Sequence, residues 1–108
     1  MNTHIELMYR DACNWKSYID FVIDGEIAME QIQPYLQDGE FLIPFDAGLP
    51  EVQIDDPNPE IDHPFYTIAT IEHTRDAPTI ALTADALRRN FETVQWDEQA
   101  AMERIFGK

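Results

Sequence analysis

Two alternating apolar stretches near the amino end, apolar stripes at helical spacing further on, and the absence of any internal repeat predict an α+β fold. The expected architecture is a single domain over residues 1–108. It has a small, mainly antiparallel sheet with an N-terminal hairpin, one helix after it, and two C-terminal helices packed on one face. Hydrophobic residues make up 44% of the chain and charged residues 26%, the balance of a soluble domain large enough for one core.

Each element has a local cause. From His4 to Tyr9 the sequence alternates, with Ile5, Leu7 and Tyr9 on one side, which is a strand pattern. Arg10-Asp11-Ala12-Cys13-Asn14 is polar and turn-like, and Trp15 to Ile23 alternates again, so the two runs read as a hairpin. Asp24-Gly25 is a turn signal. Glu26 to Gln37 reads as a helix, with Ala28, Ile32, Tyr35 and Leu36 on one stripe, broken into a turn at Pro34 and closed by Asp38-Gly39. The competing reading makes Ile23-Asp24-Gly25-Glu26 a tight hairpin followed by a strand.

Glu40 to Ile43 is a short apolar run expected as a third strand, stopped by Pro44, and Glu51 to Ile54 is expected as a brief edge strand. Asp55 to Pro64 holds three prolines and four acids in ten residues and reads as a loop. Phe65 to Glu72 is aromatic and β-branched, hence another strand. Thr83 fits an N-cap, with Leu82 and Leu87 placed for a hydrophobic staple and Leu87, Phe91 and Val94 continuing the stripe. Asp97 repeats the arrangement, with Ala101, Met102, Ile105 and Phe106 expected inward and Gly107 ending the helix.

Charge is the most informative feature. The formal net charge is −14, from 21 acids and 7 Lys plus Arg. Between Ser17 and Thr74, 58 residues, there is no Lys or Arg, while 13 acids fall there; the flanks hold 8 acids and 7 bases. Nearly all the net charge therefore belongs to the middle of the chain, where it creates a field that attracts cationic partners. The same acidity argues against direct nucleic-acid binding and against docking on anionic membranes, because like charges repel. Solubility alone is the competing explanation.

The search for chemistry is mostly negative. Cys13 is the only thiol, so no internal disulfide forms and a reducing cytoplasm is the expected location. His4, His63 and His73 match no zinc-ligand spacing, and neither H-x-x-x-H nor C-x-x-C occurs. A calcium loop begun at Asp56 would need glycine at its sixth position and glutamate at its twelfth, where the chain has Ile61 and Thr67. Ser17, the only serine, lies outside any G-x-S-x-G context, and the four glycines are too scattered to cradle a phosphate. No catalytic residue, metal or cofactor is expected, and the protein reads as non-enzymatic. No apolar run reaches the ~18–20 residues of a membrane span, and the amino end lacks the basic-then-apolar layout of a secretory signal.

Two groups remain as candidate sites. The first is the polar turn Arg10, Asp11, Asn14 and Lys16, which holds the only basic residues before Arg75. The second is a set of acids expected to bind a basic protein partner: Asp46, Glu51, Asp55, Asp56, Glu60 and Asp62. The run from Phe41 to Pro50 adds apolar residues through a loop, either core packing or a partner-binding patch.

The segments Tyr9-Arg10-Asp11-x-x-Asn14-Trp15-Lys16, Gly39-Glu40-Phe41-x-Ile43-Pro44, Gly48-Leu49-Pro50 and Trp96-Asp97 resemble a family of small acidic bacterial proteins of unknown function. The resemblance covers most of the chain and implies a cytosolic bacterial protein, with no activity attached. Trp15 stands where the family's pattern has tyrosine, and Phe45-Asp46 departs from a polar pair. The resulting expectation is a non-enzymatic acidic module that binds a basic partner in an inhibitor, immunity-type or nucleic-acid-mimic role. The alternative is a small ligand-binding protein or enzyme with a pocket near the Arg10–Lys16 turn and His63 or His73.

Overall fold

A computed structural model describes residues 1–107 and has the α+β architecture the patterns predict. Strands β1 (Asn2–Arg10) and β2 (Lys16–Ile23) form the antiparallel hairpin, in register from Thr3 opposite Ile23 to Arg10 opposite Lys16. Strand β4 (Tyr66–Thr74) pairs antiparallel with the other side of β1, and the two-residue β3 (Phe41–Leu42) pairs with β4, giving the order β2-β1-β4-β3. The register of β1 and β4 shifts between Glu6 and Leu7, where Thr70 and Ile68 are their partners, so Ala69 is an extra residue bulged out of the ladder.

Alternation decides which face is covered. Ile5, Leu7 and Tyr9 of β1 and Phe21 and Ile23 of β2 are buried on one face, whereas Glu6, Met8 and Arg10 point the other way. Helices α2 (Ala84–Thr93) and α3 (Glu98–Phe106) lie on the buried face, where Leu87 and Phe91 join the core. Each such side chain contributes roughly 1.5–3 kcal/mol by leaving water. Thr83 caps α2 by accepting from the Ala86 N–H (3.1 Å), and Asp97 caps α3 by accepting from the Ala100 N–H (3.0 Å). The inward face expected of α3 is realised at Ala101 alone; Met102, Ile105 and Phe106 are only half-buried.

The helix expected over Glu26–Gln37 breaks at Pro34 as expected, but it begins three residues late. It is α1 (Met29–Ile32), followed by a 3-10 turn at Gln33–Tyr35 that starts where Pro34 prevents continuation. Its start is delayed because the fully buried Thr3 hydroxyl accepts from the Ile27 N–H (3.1 Å) and donates to the Gly25 carbonyl (2.7 Å), holding Gly25–Ile27 against β1. Gly25, at φ +93°, makes the turn, and a Cβ there would meet the Ala84 Cβ at 3.2 Å. Ile32 and Leu36 are buried as expected, but Tyr35 faces solvent, since the 3-10 turn rotates it off the helical stripe.

The Glu40–Ile43 strand is reduced to Phe41–Leu42, because Pro44 opens a 3-10 turn at Pro44–Ala47. Glu51–Ile54 forms no strand. Its backbone is anchored, among the described residues, only by the Tyr66 hydroxyl, which accepts from the Val52 N–H (3.0 Å) and donates to the Val52 carbonyl (3.5 Å). Among the described residues no helix is long and apolar enough to cross a membrane.

Candidate functional site

Three short-range devices build the region around the hairpin tip. The Asp11 carboxylate accepts from the Cys13 N–H (2.8 Å) and the Trp15 N–H (3.0 Å), while the Asp11 N–H donates to the Trp15 carbonyl (3.1 Å). Asn14 takes φ +67°, a left-handed position that asparagine tolerates. Ala12 then donates to the Ile61 carbonyl (3.0 Å), which fastens the turn to the acidic loop.

That loop is held from the other side by Tyr9, whose hydroxyl donates to Asp62 Oδ1 (2.6 Å) and accepts from the His63 N–H (3.3 Å). Burial first, and the Asp62 carboxylate second, push the Tyr9 phenol well above its ordinary pKa, so it stays a donor. Asp62 Oδ2 also accepts from the Asn58 N–H (2.8 Å). His63 Nδ1 accepts from the Phe65 N–H (3.0 Å), which places the ring proton on Nε2, facing the Arg10 carbonyl at 2.7 Å. Both ring nitrogens thus fix the loop's exit to the end of β1.

These contacts frame a groove of about 310 Å³ between the hairpin turn and the loop. Its acids are Asp11, Asp55, Asp56 and Asp62, its wall includes Tyr9 and Trp15, and among the described residues no Lys or Arg lines it. Asp55 and Asp56 are exposed, and the Trp15 side chain is 76% exposed. An indole in water beside unneutralised carboxylates suits a guanidinium or ammonium, which the ring face and the acids attract together.

On the other side of the Val52–Ile54 segment lies a larger open cavity of about 630 Å³. Proline, isoleucine and phenylalanine side chains form its walls, with Ile105 and Phe106 of α3 among them. Two charged groups reach it. The Arg104 guanidinium lies 3.9 Å from the centre of the Phe45 ring. Burial pushes the Glu51 carboxyl above the usual carboxylate range, against the opposing pull of the Phe45 N–H (3.3 Å) and Arg104. Tyr66, also on this wall, is pushed up by burial and then by the Glu51 charge.

The six candidate acids therefore do not form one cluster. Asp55, Asp56 and Asp62 share the groove. Glu51 lines the larger cavity, and Asp46 is turned to α3, where Oδ2 accepts from the Asp97 N–H (2.9 Å). Glu60 lines neither. The polar turn also divides: Asp11 enters the groove, Asn14 shapes the turn, Lys16 is exposed, and Arg10 lines a shallow hollow of about 190 Å³ with His63. Missed by the sequence reading were Trp15 as groove wall, Tyr9 as anchor of Asp62, and the placing of Glu51 and Arg104 on one cavity wall. Only the odd placement of a tryptophan in a polar turn signals the first.

Among the described residues no group of three or more His, Cys, Asp or Glu is arranged to hold a metal ion. Comparison with protein-family models, with curated proteins and with solved structures gives no match for this chain.

Proposed function

We propose that this protein is a non-enzymatic acidic interaction module that acts in a reducing cytoplasm and binds a basic protein partner, as an inhibitor, an immunity-type protein or a nucleic-acid mimic. The observation that carries the reading is the groove where Asp55, Asp56 and Asp62 meet the exposed Trp15 with no basic residue on the lining among the described residues. Unneutralised charge speeds encounter with a cationic surface, and a solvent-exposed aromatic anchor supplies the short-range contact that slows release.

The test is capture from the native host at low salt, followed by titration of the purified partner. Affinity is expected to fall steeply between ~50 and ~300 mM salt, because exposed charges are screened over about 10 Å or less. Asp55→Asn with Asp56→Asn and, separately, Trp15→Ala are each expected to weaken binding about tenfold or more. Binding that ignores both salt and these substitutions overturns the reading.

A second reading, a small ligand-binding protein or enzyme, draws on the apolar cavity that holds Glu51 and Arg104. It is the weaker of the two, since the polar atoms nearby are already engaged: Tyr66 with Val52, and His63 with Arg10 and Phe65. Chemical-shift changes confined to this cavity in a small-molecule screen would favour it.

A further inference from the structure

The sheet has an opening that the groove does not explain. Strand β3 covers β4 only at Tyr66 and Thr67, and the bulge at Ala69 follows. From Thr70 to Thr74 the backbone groups that point away from β1 bond to no described residue. The opposite edge is closed at one end only, and from Lys16 to Phe21 its outward backbone groups likewise bond to no described residue. Thr79 closes β2 at Val22, the Ala84 N–H reaches the Asp24 carbonyl, and Lys16 stands at the open end. The β4 stretch is guarded only lightly, by the adjoining bulge and Glu72, and carries no Lys or Pro before Arg75; three of its five residues are β-branched, so it is a template for another strand.

Beside it lies a hollow of about 260 Å³ lined by Ile27, Met29 and Ile71, with His73 also on the lining. Glu30 is its acid on this face, the Glu72 carboxylate being turned to His4 on the other face. Glu26 is close by, 3.6 Å from His73 Nδ1, while Glu72 approaches His4 Nδ1 at 3.5 Å. Apolar walls under a carboxylate rim suit a lysine or arginine side chain, whose stem packs on Ile71 and Met29 while its head meets the acids.

We propose that an extended basic segment of a partner protein adds to the Thr70–Thr74 edge of β4 as a fifth strand, with one Lys or Arg in this hollow. The added strand runs antiparallel to β4, in line with β3, so every neighbouring pair in the enlarged sheet stays antiparallel. Main-chain bonds hold it and the hollow selects charge. A second copy of this chain is the wrong occupant, because it would bring another net charge of −14 to an acidic rim. The inference rests on the basic-partner reading and places a second contact toward the far end of the sheet from the Trp15 groove.

The test adds a synthetic peptide of alternating Thr or Val with Lys to the full-length protein. Backbone amide shifts and hydrogen exchange are followed by NMR. Slowed exchange is expected at alternate residues of Thr70–Thr74, as outward N–H groups gain partners. N-methylating the peptide's alternate amides in one phase is expected to weaken binding about tenfold or more, and in the other phase to change little, which plain charge attraction would not do. Glu30→Gln is expected to weaken the Lys peptide about threefold or more, as loss of a rim charge does. No protection of β4 at millimolar peptide, or equal effects of the two methylation phases, overturns strand addition. Equal binding of the same peptide with Glu for Lys overturns the basic occupant. If the peptide perturbs only the Trp15 groove, the edge proposal fails while the basic-partner reading stands.

Discussion

At the scale of single residues, polar atoms placed away from water dictate more than the exposed charges do. Tyr9 and Thr3 each satisfy two distant backbone or carboxylate groups, and His63 one, the Arg10 carbonyl, so each acts as a fastener between segments far apart in sequence. Glu51 is the contrary case, a carboxyl whose protonated form is favoured by burial. A group whose pKa is raised by folding contributes stability that is complete below the ordinary carboxylate range and is lost as pH rises through the raised value. Glu51→Gln is therefore expected to make the protein more stable than wild type at pH 7, with the advantage shrinking toward pH 4. Urea unfolding of both proteins at the two pH values checks this, and an advantage that grows on acidification contradicts it. None of these partners was legible in the sequence: extending the alternation of Ile5, Leu7 and Tyr9 back by two puts Thr3 on the buried face, but nothing local says that its hydroxyl will meet Gly25 and Ile27.

At the scale of elements, capping and periodicity were readable because they are local. Thr83 and Asp97 start α2 and α3 where the sequence places them, and the two hairpin strands follow their alternation. Failures came where a distant segment sets the outcome. Glu51–Ile54 has the composition of an edge strand, but its neighbour is the Tyr66 hydroxyl rather than another strand, so no ladder forms. The start of α1 is set by Thr3, 24 residues earlier than Ile27. Thr3→Val keeps the shape and removes the hydroxyl, leaving the Ile27 N–H and Gly25 carbonyl without their partner. The expected cost is about 2–4 kcal/mol, since an orphaned buried polar group costs roughly 1–3 kcal/mol. Denaturant unfolding should show it as a lower midpoint with an unchanged slope, and Thr3→Ser should recover much of the loss. A neutral Thr3→Val would mean that these bonds do not hold the connection.

At the scale of the whole molecule, the charge map survives folding with little internal compensation, the amino terminus reaching Glu26 at 4.0 Å. Among the described residues Arg88 and Arg89 pair only with Asp85 and Glu92 of their own helix, and no Lys or Arg makes an ion pair with a carboxylate between Ser17 and Thr74. The acids of that stretch are nonetheless dispersed, with Asp20 and Glu72 beside His4 on the open sheet face and Asp55 and Asp56 in the groove toward the other end. Self-repulsion at net −14 should therefore be relieved by salt. Raising NaCl from about 10 to about 200 mM, enough to bring the screening length below 10 Å, is expected to raise the Tm by a few degrees. A Tm that is flat or falls with salt would show that the acids are already neutralised.

What the sequence alone determined is the class of the fold, the hairpin, the two capped helices and the total charge, because each follows from neighbours within a few positions or from simple addition. What only the tertiary structure decided is the company each charge keeps. Folding sends Asp46 to α3 and Glu51 to an apolar wall, joins Asp55, Asp56 and Asp62 to Trp15, and leaves the Thr70–Thr74 edge of β4 without a strand partner among the described residues. These outcomes depend on which distant segments meet, and burial and hydrogen-bond partners across such gaps are not encoded in spacing along the chain.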